Sequence, residues 1–319
     1  MNVEVAQAAE ALLAADDILI LTHRRPDGDT TGCAGALCRG LRQCGKTAYI
    51  LENPEITKRY APLIVPCAPP ANFTPRYLVA TDIAEETLFP DNAEEYKGKI
   101  DLSIDHHRSN PMFAQKNLVR PDAGGCAEVI YDVLQAMGVR FTAPIAECIY
   151  VGVSTDTGCF KYSNTTAHTH AVAAACLSAG IDGGEINRAL FETKSRPRYD
   201  MERIVFETME FCENGAIAIA LLWRDDIDRT GADMDDLDSI ASLTRQIEGV
   251  QVGITLTENV DRTVKISVRT TKEVDASIIC KKLGGGGHLR AAGASLDCGM
   301  EEAQAITLRA AAEQYHAAN

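Results

Sequence analysis

Four short apolar runs in the first third of the chain constrain its fold more than any other feature. They are "DILILTH" (17–23), "KTAYILE" (46–52), "YLVATD" (77–82) and "DLSIDHH" (101–107). Each reads as a buried strand, and helical patterns lie between and after them near 30–44 and 124–138. Such alternation is the signature of a parallel sheet wrapped by helices. Three of the runs end in His or Asp, at the carboxyl edge where open α/β sheets place their ligands.

Beyond residue 143 the pattern is mostly helical, through "APIAECIYVGVSTDTG", "AHTHAVAAACLSAG", "GEINRALFET" and "RYDMERIVFETMEFC". After "ENG" (213–215) it changes again. "AIAIALLW", "VQVGITLTE" and "TVKISVRTT" read as strands, followed by a helix near 275–282, a glycine run and a closing helix from about 301. The expected fold class is therefore α/β. An N-terminal parallel-sheet domain (1–190) carries helices on both faces, a helical linker spans 191–213, and a smaller C-terminal α/β domain spans 214–319. A chain of 319 residues is long enough for each domain to bury its own core.

Composition narrows the function. Hydrophobic residues are 46% and charged residues 24%, ordinary globular values. No apolar run approaches the roughly 20 residues that span a bilayer, and the N-terminus lacks a basic segment ahead of an apolar one, so a cytoplasmic protein with no membrane partner is expected. Eleven cysteines, an odd number with no C-x-x-C pair, read as reduced thiols rather than a disulfide framework. The formal charge of −14 argues against a protein that grips long nucleic acid through a basic face. A phosphate-bearing substrate has to be held locally, which favours small nucleotides or short strands over duplexes.

Metal-type ligands recur in four segments: His23, Asp27 and Asp29 in "HRRPDGD", Asp82 in "VATD", Asp105, His106 and His107 in "IDHH", and Asp156 in "STDTG". Taken singly, each is bland: a D-x-D in a turn is usually a cap or a solvated loop, and an aspartate after a strand is often an N-cap. Taken together, they imply four or five carboxylates in one buried place, which cannot all stay ionised without cations. Two divalent ions balance four carboxylates and fit the arrangement of two-metal hydrolases. Oxygen-rich sites with few imidazoles and no thiolate suit Mn²⁺ or Mg²⁺ better than structural zinc.

In this order the four segments resemble the four motifs of the DHH phosphoesterase superfamily. "KKLGGGGHLRAAG" (281–293) resembles the glycine-rich signature of the DHH-associated C-terminal domain. Length and domain pairing are most similar to the stand-alone NrnA-type branch of oligoribonucleases and 3′-phosphoadenosine 5′-phosphate phosphatases. The resemblance implies one metal held by His23, Asp27 and Asp82, and a second held by Asp29, Asp82, His106 and Asp156. Asp82 would bridge them, and Mn²⁺ is expected, with Mg²⁺ or Co²⁺ as substitutes. It further implies a catalytic role for His107 at the substrate phosphate, with Asp105 orienting its neighbours, and a hydroxide bridging the metals as the attacking group. After "PDGD" the family often continues with a small or apolar residue and Gly-Ser, whereas this chain has "TTGCAG". Gly32 is retained, so the helix is still expected to approach the site closely.

The glycines at 284, 285, 286 and 287, next to His288, offer backbone N–H groups free of side chains, as an anion-cradling loop requires. The resemblance matches Gly284, Gly285, Gly286, Gly287 and His288 to the substrate-binding loop, and Arg269 in "SVRTT" to an arginine that meets a terminal phosphate or base. Arg24 and Arg25, cations beside the carboxylates, are expected near substrate phosphates, Arg25 more than Arg24. His168 and His170 do not share a helix face and read as cap or surface residues. Tyr162 and Asn164, just after the fourth motif, are expected to line the pocket, and Trp223 to belong to the second core.

The leading expectation is a metal-dependent phosphoesterase. It would cut short oligoribonucleotides to mononucleotides and act as a bisphosphate nucleotidase that converts 3′-phosphoadenosine 5′-phosphate to AMP. Its partners are short single strands and small nucleotides, and a homodimer is compatible with the sequence. The alternative enzyme, a cyclic-di-AMP or pApA phosphodiesterase, shares every motif. A nucleotide-binding regulator without catalysis fits less well, because every ligand position is filled. A manganese-dependent pyrophosphatase shares the first four motifs but not "GGGGH".

Overall fold

Strands β1 (Ile18–Leu21), β2 (Ala48–Ile50), β3 (Tyr77–Thr81), β4 (Leu102–Asp105) and β5 (Lys116–Val119) form one sheet in the order β2-β1-β3-β4-β5. All its pairings are parallel. The structure is a computed structural model and describes residues 1–237, 240–271 and 273–318. The first four strands are those expected. β5 was not legible because Asn117 interrupts its apolar character. That side chain is fully buried, and it exchanges hydrogen bonds with the backbone of Ala114 at 2.8 and 3.1 Å.

Two compact units make up the chain, Met1–Thr193 and Lys194–Asn319. In the first, helices α1 (Val5–Ala14), α2 (Gly28–Gln43), α3 (Ala61–Ile64), α4 (Cys126–Ala136), α5 (Ala143–Asp156), α6 (Ala167–Ser178) and α7 (Gly183–Asn187) accompany the sheet. Alternate strand residues divide between two cores. Ile18, Ile20, Val79 and Ile104 pack with Leu37, Val133 and Ile149 of α2, α4 and α5. Leu19, Leu21, Leu78 and Ala80 pack with Ile83, Phe89 and Ile100, beside the short helical turns at 86–88 and 91–96. A sheet covered on both faces needs apolar residues at every position, and β1 is buried throughout.

The crossing of α2 and α5 depends on glycine. A Cβ on Gly32 would fall 2.3 Å from the carbonyl oxygen of Cys148, and one on Gly152 would fall 2.6 Å from the methyl of Ala127 and 2.8 Å from Asp29 Oδ1. The two helices therefore meet backbone to backbone, and the end of α5, Asp156, lands beside the start of α2.

The second unit contains α8 (Arg196–Thr208), β6 (Glu210–Cys212), β7 (Ile217–Leu222), α9 (Arg224–Thr230), α10 (Met234–Leu237), β8 (Val252–Glu258), β9 (Val264–Thr270), α11 (Ala276–Lys282), β10 (Gly286–His288), β11 (Ala291–Leu296) and α12 (Met300–Ala318). Its sheet runs β10-β11-β9-β8-β7-β6, with β7 and β8 parallel and the other pairs antiparallel. Helices α11 and α12 cover one face through Ile279, Cys280, Ala303 and Ala311. The stretch 191–213, expected as a linker, is divided: Met201, Ile204 and Val205 of α8 bury against Ala220 and Leu222 of β7, so this helix belongs to the second unit.

Replacing Gly32 with alanine should force α2 and α5 apart. Overpacking of this kind costs about 1–3 kcal/mol, so a thermal melt should show Tm lowered by several degrees. An unchanged Tm would mean that the crossing is not as tight as described.

Candidate metal centre

The turn after β1 divides its acids between two directions. His23 Nδ1 donates to the carbonyl of Arg24 at 2.7 Å, leaving the Nε2 lone pair free to face Asp27 Oδ1 at 3.6 Å and Asp82 Oδ2 at 4.0 Å. Asp27 caps α2, its Oδ1 accepting from the amides of Asp29 and Thr30 at 3.0 and 3.1 Å. Asp29 turns the opposite way, and its two oxygens accept from the amides of Cys126 and Ala127 at 2.6 and 2.9 Å. These are the first amides of α4, where the helix dipole favours a negative charge.

Asp82 follows β3 in the left-handed region, φ +57°, a conformation that costs a non-glycine residue about 1–3 kcal/mol. The turn brings a 3% exposed carboxylate into the centre of the group. Its Oδ1 lies 3.6 Å from His106 Nε2 and 3.6 Å from His107 Nδ1, yet has no hydrogen-bond partner among the described residues. His106 Nε2 also lies 3.6 Å from Asp156 Oδ2 and 3.9 Å from Asp29 Oδ2.

Asp105 is spent on its neighbours. Its Oδ1 accepts from the amides of His106 and His107 at 2.8 and 3.2 Å and from His107 Nδ1 at 2.8 Å, while its Oδ2 accepts from Asn110 at 2.6 Å. The hydrogen bond that His107 donates to Asp105, reinforced by the carboxylate's charge, holds the His107 pKa above its usual value despite burial. On the Asp105 side, burial is outweighed by His107 and Asn110, so the carboxyl lies below the usual range. Both directions describe one ion pair.

Ligand atoms of His23, Asp27 and Asp82 lie within 4.8 Å of one another, as do those of Asp29, His106 and Asp156 and those of Asp82, His106 and His107. Burial, and then the charge of Asp29, pushes the Asp82 carboxyl well above its usual range. Burial followed by Asp29 and Asp27 pushes Asp156 up to about 8. An unpartnered buried carboxylate oxygen amid mutually repelling acids is what a divalent cation relieves, and the all-oxygen-and-imidazole donor set fits Mn²⁺ or Mg²⁺.

Of the residues expected at the substrate, Arg25 is 70% exposed and pairs with Glu55 at 3.3 Å, with Arg24 4.0 Å from the same carboxylate. In the second unit the glycine run differs from the expected open loop. Gly284 makes the turn with φ +76°, whereas Gly286, Gly287 and His288 form β10, paired with Ala291–Gly293 of β11. A Cβ on Gly285 would fall 2.1 Å from the carbonyl of Gly293, so part of the glycine requirement is close packing. His288 lies opposite Ala291, which lies opposite Arg269, so both residues project to one face with a small residue between them.

His168 is half-exposed and faces Asp132 at 3.2 Å, while His170 stacks on Phe160; neither joins the cluster. Trp223 is partly buried against the second core. Tyr162 is largely exposed. Asn164 donates through Nδ2 to the carbonyls of Gly124 and Asp156 at 2.7 and 3.2 Å, and lies 3.4 Å from Asp156 Oδ2. It tethers the Asp156 segment to the segment that offers its amides to Asp29. Asn110 and Asn53 were missed; Asn53 Nδ2 donates to the carbonyl of His23 at 2.9 Å and to Thr22 Oγ1 at 3.0 Å. The signal for both was an asparagine a few residues beyond a strand end, where its amide ties down a turn.

Groups whose folded pKa is raised contribute stability that is present at low pH and lost as pH rises. For Asp29, Asp82 and Asp156 the loss begins above the ordinary carboxylate range, and for Asp156 it extends to about 8. His107 is raised by Asp105, and His23 by Asp27 against the effect of burial, so they act in the same direction above about 6.5. Metal-free protein should therefore melt several degrees lower at pH 8 than at pH 5. Added Mn²⁺ should raise Tm more at pH 8, because its ligands must be deprotonated. A Tm that rises with pH in chelator, with no response to Mn²⁺, would exclude the site.

Two family models match: the DHH family N-terminal domain over residues 17–153 and the DHHA1 domain over residues 214–317. The bifunctional oligoribonuclease and PAP phosphatase NrnA of Thermus thermophilus is 35% identical over 291 residues, covering 90% of this chain and 87% of that protein. The protein of the same name from Bacillus subtilis is 24% identical, covering 88% and 90%. In fold, the crystal structure of an exopolyphosphatase-related protein from Bacteroides fragilis superposes with a TM-score of 0.86 at 21% identity, covering 97% of this chain and 96% of that one. With its strand-end acids and imidazoles gathered at one sheet edge and both of its units matched, the chain belongs to the DHH family of phosphoesterases.

Proposed function

We propose that the protein is a metal-dependent hydrolase that cuts short oligoribonucleotides to mononucleotides and 3′-phosphoadenosine 5′-phosphate to AMP. The observation that carries this reading is the convergence of His23, Asp27, Asp29, Asp82, His106 and Asp156 into overlapping groups joined through Asp82 and His106. The two similar proteins named as oligoribonuclease and PAP phosphatase give the substrate class.

His23, Asp27 and Asp82 would hold one divalent ion, and Asp29, His106 and Asp156, with Asp82, a second. Mn²⁺ is preferred, with Mg²⁺ or Co²⁺ as substitutes. Bound there, the ions supply Lewis acidity and lower the pKa of the attacking water. The chain does the rest. His23 and His106 present Nε2 toward the carboxylates, and His23 is fixed in that tautomer by its Nδ1 hydrogen bond. Asp105 accepts from His107 Nδ1 and raises its pKa, which favours the imidazolium, whose Nε2–H would bind the phosphoryl group or give its proton to the departing oxygen. Arg25 would leave Glu55 for a substrate phosphate, and in the second unit Arg269, His288 and the backbone of Gly284, Gly285, Gly286 and Gly287 would hold the nucleotide. The net charge of −14 leaves only local contacts for phosphates, which favours short single strands over duplexes.

A product time course with Mn²⁺ tests this, using a dinucleotide, a five-residue oligoribonucleotide, 3′-phosphoadenosine 5′-phosphate and cyclic di-AMP in parallel. Mononucleotides from the oligomers and phosphate from the bisphosphate are the expected products. Turnover confined to cyclic di-AMP would replace this reading with a cyclic-dinucleotide phosphodiesterase. Asp82→Ala should abolish measurable turnover of every substrate, and His107→Ala should lower kcat by about 10²–10⁴-fold. Full activity in Asp82→Ala would sink the assignment.

A further inference from the structure

The sheet of the second unit has one face fully covered and the other covered only in part. On the second face, Ala220 and Leu222 of β7 lie under α8 and the helical turn at 240–246. The same turn also reaches the Arg269 end of β9, where Gly253, the cross-strand partner of Arg269, lies against Thr244 and Arg245; toward Lys265, and over β11, that cover is absent among the described residues. The outward positions there pair across the strands as Lys265 with Ser295, Ser267 with Gly293, and Arg269 with Ala291. Inward positions between them, Ile266 and Val268, are fully buried.

An open antiparallel face is commonly just solvated, but three features set this one apart. The first is sign: in a chain of net charge −14, the outward positions of β9, β10 and β11 carry the cations Lys265 and Arg269 and no carboxylate, among the described residues. The second is relief. Nothing larger than serine stands on β11 beside the cations, so on that side no side chain stands between them and a chain laid along β9. The third is that Lys265 is exposed, and neither it nor the Ser267 hydroxyl has a side-chain hydrogen bond or ion pair among the described residues.

We propose that Ser267 and Lys265 form a second phosphate subsite on β9, which holds the phosphodiester next to the one that meets Arg269. Alternate residues of a strand stand about 6.5 Å apart, close to the repeat of successive phosphates in an extended single strand. The Ser267 hydroxyl lies one such step from Arg269, and the flexible stem of Lys265 brings its ammonium to the same phosphate. The occupant is the backbone of a short single-stranded oligonucleotide, recognised by charge and spacing rather than by base. This subsite rests on the reading of the substrate as a short oligonucleotide and adds to it a preference for more than one phosphodiester.

The test is binding of hydrolysis-resistant, phosphorothioate-linked oligoribonucleotides of two and five residues to the full-length manganese-loaded protein across a salt series. Lys265→Ala should weaken the five-residue strand about tenfold, and at least fivefold more than the dinucleotide. It should also make the slope of log K against log salt shallower by about 0.7 for the longer strand, and Lys265→Arg should restore both. Equal weakening of both lengths, or an unchanged slope, overturns the subsite. Failure of the unaltered enzyme to turn over any linear oligonucleotide would instead overturn the substrate reading. These outcomes are distinguishable, because the first is read on a protein that still binds and cleaves.

Discussion

Asp29, Asp82 and Asp156 cannot all be ionised at the edge of a buried sheet without counter-charge, and much of the first unit serves to contain that repulsion. The containment differs at each residue. Asp29 is met by two amides at the start of α4, so a helix dipole offsets part of its charge before any cation arrives. Asp82 has no such support, and its Oδ1 is left without a partner among the described residues. Asp105, the most buried of the acids, is paired with the His107 imidazole, whose pKa it raises, and with an asparagine amide, so its charge is the one already met within the chain. The acids thus sort by what remains to be neutralised.

The same sorting explains why the helices cross as they do. Asp156 sits at the end of α5, and only a backbone-to-backbone approach at Gly32 and Gly152 brings it to His106. A larger residue at either position would separate the acids and ease their repulsion, at the loss of the site. The positive φ at Asp82 has the same character: local strain keeps a carboxylate where electrostatics alone would expel it. In metal-free protein the centre is a weak point in an otherwise well-packed core.

Residues with their own chemical signature were legible in the sequence. The aliphatic runs of β1 to β4 announced a sheet buried on both faces, and the acids and imidazoles at their ends announced an edge site. Backbone groups have no such signature. The amides of Cys126 and Ala127, which hold Asp29, are indistinguishable in sequence from any other helix start. β5 was hidden by a buried asparagine that satisfies itself locally, and α8 read as a connector because its apolar stripe of Met201, Ile204 and Val205 declares burial without declaring against what. The glycine run was recognised, but its strand character was not: glycine's lack of a side chain serves an open loop and a tightly packed strand equally well.

β9 shows how a strand pattern carries function once its neighbours are known. "VKISVRT" alternates inward Val264, Ile266, Val268 and Thr270 with outward Lys265, Ser267 and Arg269. Sequence alone reads this as a half-buried strand with a solvated face. What changes its meaning is register. β11 places Ser295, Gly293 and Ala291 beside the outward residues, and β10 adds His288 beyond Ala291. Two cations flanking a serine over small side chains, in a protein whose overall charge repels phosphate, concentrate attraction along one line. Local placement then does what net charge cannot, because at physiological salt attraction decays within about 8 Å and the distant carboxylates of the chain are screened from a phosphate lying on that strand.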